Sequence, residues 1–372
     1  MSRIDELIKD LCPNGVTFKK LKDVCIIKKG TQLNKDKLKD EGAYPVINGG
    51  ISPSGYWDEF NFSANLITIS QGGASAGFVN FIETPFWAGA HCYVISKWID
   101  SIDYRYLYHF VKQQQKTFQQ KKVGAGIPGL ALKEVNELLI PVPPLAVQKE
   151  IVQVLDAFTE LEAELEAELE ARKKQYEYYR DYLLAHDATA STKPLEKICY
   201  ISAGGDAPKD AMSKEKTEEF NIPIISNGIG ENALYGYTNV AKITSPAVTV
   251  AARGTIGYAE YRSYPFFPII RLLTVMPKDE TEVDTKYLYY CLQGKQYSVP
   301  TGGIPQLTAP ELKKVEIPVP SLAIQKRIVR ILDRFNTLCN DLTSGIPAEI
   351  QARRKQYEYY RDKLLTFKEL KA

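Results

Sequence analysis

At 372 residues the chain is long enough for two or three domains, each able to bury a core of its own. Hydrophobic residues make up 44% and charged residues 25%, which excludes collagen-like, wholly disordered and polybasic classes. The 47 basic and 45 acidic side chains leave +2, so net charge by itself points to no polyanionic partner.

In chain order, residues 1–10 carry Asp5 and Glu6 where a signal peptide needs an apolar run. The uncharged stretch 60–82 holds too many Asn, Ser, Gln and Gly residues for a membrane span. Six cysteines, at 12, 25, 92, 199, 291 and 339, include no Cys-x-x-Cys and read as reduced, mostly buried thiols of a cytoplasmic protein.

The chain then repeats itself at an offset drifting between 174 and 181. Leu21-Lys22-Asp23-Val24 is answered by Leu195-Glu196-Lys197-Ile198, and Pro45-Val46-Ile47 by Pro223-Ile224-Ile225, both followed by Asn and Gly. The β-branched runs Ile67-Thr68-Ile69 and Val248-Thr249-Val250 lead into Gly-rich turns at Gln71-Gly72-Gly73 and Arg253-Gly254. Tyr106-Leu107-Tyr108 recurs as Tyr287-Leu288-Tyr289, and Gly126-Ile127-Pro128 as Gly303-Ile304-Pro305. Ile140-Pro141-Val142-Pro143 recurs unchanged at Ile317-Pro318-Val319-Pro320.

After each Ile-Pro-Val-Pro, Gly and Pro almost vanish and helix formers take over. From 148 to about 184, Phe158, Leu165, Leu169, Tyr176, Tyr179 and Leu183 follow a near-heptad rhythm interrupted by Arg172. Such a helix is about 55 Å long at ~1.5 Å per residue, which favours a coiled-coil element. The second copy runs from Gln325 with Ile328, Ile331, Phe335, Leu338 and Leu342 as its apolar seam. It breaks at Ser344-Gly345-Ile346-Pro347, where Ser344 can cap and Pro347 can open a new helix carrying Ile350, Tyr357, Tyr360, Leu364 and Phe367. The octapeptide Lys-Gln-Tyr-Glu-Tyr-Tyr-Arg-Asp is identical at 174–181 and 355–362, so one geometry is used twice.

Charge by segment gives 17 basic and 14 acidic residues (+3) over 1–147, 5 and 11 (−6) over 148–187, 14 and 14 (0) over 188–324, and 11 and 6 (+5) over 325–372. Oppositely charged helices favour pairing with each other over self-pairing, which predicts an antiparallel intramolecular pair between two globular domains. The expected segments are a first domain at 1–147, a spacer helix at 148–190, a second domain at 191–324 and a second spacer helix at 325–372.

Catalytic signatures are missing. There is no GxxxxGK[ST] loop, no GxSxG, no HExxH and no Asn/Asp-Pro-Pro-aromatic tetrapeptide. The literal GxGxxG at Gly124-Ala125-Gly126-Ile127-Pro128-Gly129 contains Pro128 where a dinucleotide site needs a helix start. His91, His109 and His186 are too scattered for a metal site and read as packed or surface residues. What remains is a binding protein with basic and amide-rich loops. Candidate DNA contacts are Lys28, Lys29, Lys35, Lys121, Lys122, Lys242, Arg262 and Lys295 for phosphates, with Gln71 and Arg253 as base readers, because bidentate side chains on rigid loops read base edges. Lys37, Lys39 and Arg271 add to the same basic clusters. In the repeated octapeptide, Tyr176 and Tyr179 suit helix packing, leaving Tyr178, Arg180, Tyr359 and Arg361 for a partner protein.

These residues resemble the specificity (S, or HsdS) subunits of type I restriction-modification enzymes. The resemblance covers essentially the whole chain and rests on Asp-Glu-Leu-Ile-Lys-Asp-Leu-Cys-Pro-Asn-Gly at 5–15, the doubled Ile-Pro-Val-Pro with Gln148-Lys149 and Gln325-Lys326, the restart at Gly345-Ile346-Pro347, and the doubled octapeptide. It implies an α+β (mixed α/β) chain with an internal pseudo-twofold repeat, in which two target recognition domains are separated by two long antiparallel helices. Each domain would read one half of a bipartite, asymmetric site on double-stranded DNA. The helices would set the spacer and dock two methyltransferase subunits, with ATP-dependent restriction subunits in the full complex. The chain itself would be non-catalytic and hold no cofactor: S-adenosylmethionine is expected on the methyltransferase subunits, ATP and Mg on the restriction subunits. Rival readings are a methyltransferase with its own cofactor site and a coiled-coil scaffold without a DNA role.

Overall fold

The computed structural model describes residues 3–123, 128–185, 191–297 and 305–370. The glycine run at 124–127, His186 and the Gly303-Ile304 turn therefore lie outside the described residues. The chain divides into two compact units, one formed by 1–166 with 350–372 and the other by 167–349. Each unit thus combines one globular domain with parts of two helices. The central helix, Leu145–Ala185, gives its first half to the first unit and its second half to the other. It starts directly after Pro143-Pro144, three residues earlier than the Gln148 expected from composition.

Both domains are built on one plan. In the first, a four-stranded antiparallel sheet runs in the order Cys25–Lys29, Cys92–Trp98, Leu66–Ser70, Val79–Ile82, with Ile27 opposite Ile95, Ile95 opposite Ile67 and Ile67 opposite Phe81. In the second, Cys199–Ala203, Leu272–Pro277, Ala247–Ala251 and Ala259–Arg262 follow the same order, with Ile201, Val275, Val248 and Tyr261 in the matching row. The central strands Leu66–Ser70 and Ala247–Ala251 are buried at every position, as β-branched runs covered on both faces should be. A smaller sheet is attached to each: Tyr44–Ile47 pairs antiparallel with Tyr56–Trp57 and parallel with Trp87–Ala88, and Ile222–Ile225 pairs likewise with Leu234–Thr238 and Phe267–Pro268.

The repeated Ile-Pro-Val-Pro closes each domain. Among the described residues its strands, Leu139–Val142 and Glu316–Val319, pair only with Thr17–Lys20 and Ser191–Pro194, so Pro141 and Pro318 sit in two-stranded ladders where a missing N–H is tolerated. Just beyond, Gln148 and Gln325 are fully buried. Gln148 Nε2 donates to the carbonyls of Ser101 (2.8 Å) and Pro143 (2.7 Å), and its Oε1 accepts from the Asp103 N–H at 2.7 Å. Gln325 repeats this with Glu282 (2.8 Å), Pro320 (2.8 Å) and the Asp284 N–H (2.9 Å). The same aspartates cap the helices Tyr104–Gln113 and Thr285–Leu292, each carboxylate accepting two first-turn N–H groups. One amide side chain therefore ties the strand exit, the helix start and the spacer helix together in both units.

The helices pair antiparallel inside each unit. In the first, Phe158 stacks on Tyr360 while Arg354 bonds Glu162 and Glu166, so numbers rise on one helix as they fall on the other. In the second, Tyr179 stacks on Phe335. The second helical segment is two helices, Leu322–Asn340 and Ile346–Leu364, broken where the Gly-Ile-Pro signal stands, with the Asp341 carboxylate accepting from Thr343 and Ser344. Its seam departs from the expected register: Leu338 and Leu342 are exposed, and Cys339, at 2% exposure, takes the buried position instead. Ile328, Leu332, Phe335 and Cys339 form an i, i+4, i+7, i+11 stripe, which keeps the heptad spacing but in a register that leaves Leu338 and Leu342 outside. All six cysteines are free and buried, and burial pushes the thiols of Cys25, Cys92, Cys199 and Cys291 up to about 12. Among the described residues no helix is long and apolar enough to cross a membrane.

Candidate nucleic-acid interface

At the end of each large sheet that adjoins the small sheet, loops converge in the same way. Gly30 and Gly204 admit the closest approach: a Cβ would sit 2.2 Å from the Gly89 carbonyl oxygen at the first and 2.1 Å from that of Ile269 at the second. The next loops begin at equivalent hydrogen bonds, from the Gln71 N–H to the His91 carbonyl and from the Ala252 N–H to the Arg271 carbonyl, both 2.8 Å. Gln71 is thus the structural counterpart of Ala252, and Arg253 that of Gly72. The candidate base reader Gln71 therefore stands one position before the loop tip that Arg253 occupies in the second domain, and it is half-buried with its Oε1 shielded from solvent. Strand register, which the sequence spacing did not resolve, decides which neighbour faces out.

Arg253 is partly exposed at the loop tip before Gly254 (φ +72°), with its Nε donating to Gln306 Oε1 at 2.8 Å and its carbonyl accepting from Asn227 Nδ2 at 2.8 Å. Beside it opens a cleft of about 950 Å³ lined by Asp206, Lys209, Asp210, Asn227, Tyr235 and Arg271 among others. Arg271 is exposed and stands in the left-handed region at φ +71°, a conformation that costs free energy in a non-glycine residue and marks functional loops. Its counterpart in the first domain is His91. Lys242 is exposed, its ammonium near Gly205 at the same rim. Both acid and base line this cleft, suiting it to base edges as well as phosphates.

In the first domain Lys28 and Lys29 are exposed on an edge strand and Lys35 on the turn Lys35–Lys37. Lys37 and Lys39 lie over the Trp57 ring at 5.3 and 5.8 Å, and Lys39 also pairs with Asp58. Lys121 forms an ion pair with Glu134 at 2.8 Å, and Lys122 donates to the Ala74 carbonyl at 3.1 Å, bracing the loop that follows Gln71.

Three candidates are corrected by burial, and a fourth, the exposed Lys295, is held by the bond it makes. Arg262 is 5% exposed, bonded to Glu260 at 2.8 Å and Tyr264 at 2.9 Å, so it organises its own strand rather than meeting a phosphate. Lys295 donates to the Glu316 carbonyl at 2.7 Å, which ties it to the strand Glu316–Val319. Arg180 and Arg361 are tucked in: each pairs with the following aspartate at 2.8 Å, and each guanidinium lies over the first tyrosine of its octapeptide, Tyr176 at 6.0 Å and Tyr357 at 5.6 Å. Tyr178 and Tyr359, by contrast, are both 64% exposed. Among the described residues no group of three His, Cys, Asp or Glu side chains is arranged to hold a metal ion.

The doubled domain and its loops define one scaffold used twice in a single chain, and comparison with known proteins says of which kind. The family model of the type I restriction modification DNA specificity domain matches twice, at 13–171 and 189–352. A Mycoplasma pneumoniae protein carrying the name of a type I specificity subunit is 34% identical over 324 residues, covering 83% of this chain and 95% of its own. The crystal structure of the type I restriction-modification S subunit from M. genitalium superposes with a TM-score of 0.60 at 19% identity, covering 94% of this chain and 96% of the other. A chain from a structural study of assembly and conformational transition in the type I system gives 0.61 at 17%, covering 95% and 98%. The protein belongs to the type I restriction-modification specificity subunits, with two target recognition domains.

Proposed function

We propose that each globular domain reads one half of a bipartite, asymmetric site on double-stranded DNA, and that the chain serves as the non-catalytic address-reader for two methyltransferase subunits and, in the full complex, restriction subunits. The observation that carries this is one scaffold used twice with different loop chemistry: Arg253 stands where the first domain has Gly72, and Arg271 where it has His91. A scaffold kept for shape alone has no use for two loop sets. Phosphate contacts fall to Lys28, Lys29, Lys35 and Lys242, and base contacts in the second domain to Arg253 with Asn227 and Arg271. The exposed Tyr178 and Tyr359 are offered to the methyltransferase subunits, which supply S-adenosylmethionine, while ATP and Mg belong to the restriction subunits.

The central helix is proposed to set the spacer. Leu161-Glu162-Ala163-Glu164 and Leu165-Glu166-Ala167-Glu168 are tandem tetrapeptides within it, and Glu162 and Glu166 present equivalent carboxylates to Arg354. Removing 165–168 shortens the helix by ~6 Å, roughly two base pairs. Mapping modified adenines in a host carrying this deletion is expected to show both half-sites unchanged and the spacer shortened, or methylation lost. Changed half-sites with the old spacer would refute the assignment.

A further inference from the structure

The turns that follow the small-sheet strands carry a feature the DNA reading has not absorbed. Four residues past the end of Tyr44–Ile47 stands Ile51, and four past Ile222–Ile225 stands Ile229, exposed to 61% and 48%. Glycines adjoin both: Gly49 (φ +84°) and Gly50 precede the first, Gly228 and Gly230 (φ +57°) flank the second. The turns are pressed on backbone, since a Cβ would come within 2.9 Å of the His91 carbonyl oxygen at Gly49 and 2.2 Å of that of Asn232 at Gly228. Each isoleucine is thereby held outward on a braced turn. Each turn also touches the loops of the candidate interface: Asn48 Oδ1 accepts from the His91 N–H at 3.2 Å and Ser70 Oγ donates to the Gly50 carbonyl at 3.4 Å, while Asn227 Nδ2 donates to the Arg253 carbonyl and Asn227 O accepts from Thr255 Oγ1 at 3.0 Å.

A single exposed aliphatic residue needs no explanation. The same β-branched residue at the same station of two domains, in loops of equal length whose polar chemistry differs, does. Isoleucine is among the side chains most often found buried, yet both copies leave about half or more of their surface in solvent. Beside an arginine, an asparagine or a histidine aimed at base edges, an aliphatic tip supplies the contact those groups cannot make, with the apolar part of a base pair.

We infer that Ile51 and Ile229 are specificity-determining residues, each placing its side chain against the bases of its own half-site. The inference rests on the reading of both domains as DNA readers. The test uses the subunit assembled with its methyltransferase partners and duplexes carrying the site mapped in the host, intact or with one half scrambled. Ile51→Ala and Ile229→Ala are each expected to weaken binding of the intact site about tenfold. On DNA whose first half is scrambled, Ile51→Ala should cost nothing further while Ile229→Ala keeps its full effect, and the converse should hold for the second half. The salt slope of binding should stay that of the wild type, because no phosphate contact is lost, and Ile→Val at either position should restore most of the affinity. Unchanged melting of the variants checks that folding is intact. Wild-type complex that discriminates the halves while both alanine variants bind as tightly overturns the isoleucine assignment alone, as does an equal loss on scrambled and intact DNA. Wild-type complex that binds intact and scrambled duplexes alike overturns the DNA reading and this inference with it.

Discussion

The identical octapeptides at 174–181 and 355–362 are seated on two different receptors. In the second unit the Tyr176 hydroxyl bonds Gln293, while Tyr290 donates to Asp333 at 2.6 Å and Lys286 reaches the same carboxylate at 2.7 Å. In the first unit the Tyr357 hydroxyl lies 3.1 Å from His109 Nδ1, His109 Nε2 lies 2.8 Å from Asp156, and Arg105 pairs with that carboxylate. With Tyr106 matched to Tyr287, His109 stands for Tyr290 and Lys112 for Gln293; Lys112 turns away to donate to the Val79 carbonyl at 2.6 Å. The two receptors have therefore exchanged their hydrogen-bonding partners together. A lysine cannot accept from the tyrosine hydroxyl, so the imidazole takes over as acceptor, and its other nitrogen keeps the aspartate satisfied. Joint geometry survives a change of chemistry when the change is made in compensating pairs.

The largest test of this equivalence is at the residues that have not changed. Gln148→Ala or Gln325→Ala strips partners from one buried N–H and two carbonyls, and each is expected to cost about 3 kcal/mol in its own unit. Hydrogen exchange followed on peptides of each unit reads the loss locally. A large cost in one unit and none in the other would show that the two scaffolds are not energetically alike.

A smaller effect separates the receptors. Burial lowers the His109 pKa below its ordinary 6.5, against the raising influence of Asp156 and with Arg105 and Arg361 adding to the fall. The unfolded chain then binds more protons than the folded one as pH drops through 6.5, so the stability of the first unit is full above that value and declines below it. Lys112, lowered to about 8 by burial, adds a small slope of the same sign at the upper end of this range and is nearly fully protonated in both states below about pH 7, where the slope is that of His109. Between about pH 7.5 and about pH 5.5 the first unit should lose protection while the joint of the second, built on Tyr290, Asp333 and Gln293, does not. The pair His109→Tyr with Lys112→Gln, which installs the second receptor, should abolish the difference; a slope that persists in that variant would place its origin elsewhere.

What could be read from sequence follows the same division. The repeat, the Ile-Pro-Val-Pro boundaries before each helix, the helix break at Gly345-Ile346-Pro347 and the paired tyrosines were legible because each is set by local chemistry that recurs. Side-chain direction at the interface was not. Gln71 and Arg253 look equivalent as the polar residues opening two Gly-rich turns, yet the first stands one position before the loop tip that the second occupies. Charge misled in another way: Arg180, Arg361 and Arg262 read as free cations, but each is packed down beside a carboxylate one or two residues away, and it is the packing, not the partner, that the sequence did not display. The recurrence of Ile51 and Ile229, the same apolar residue following an Asn–Gly turn in both halves, stands in the sequence, but their exposure is set by the fold.

The smallest contrast lies between the helix pairs themselves. In the first unit Arg354 bridges Glu162 and Glu166; the residues matched to Arg354 and Glu162 in the second unit are Lys173 and the buried Cys339, whose thiol pKa burial raises. One pairing is a half-exposed ionic staple and the other a packed thiol. Cys339→Ala removes a buried sulfur and is expected to cost about 1 kcal/mol at any salt concentration. Arg354→Ala breaks an ion pair with its arginine 54% exposed, so less than about 1 kcal/mol is expected at low salt, fading as the Debye length shrinks. Urea unfolding of both variants at low and high salt measures this. The opposite charges of the two helices, −6 and +5, make pairing through charge the natural expectation, but a loss at Arg354 that did not respond to salt would show that the staple acts through the packing of its aliphatic stem instead.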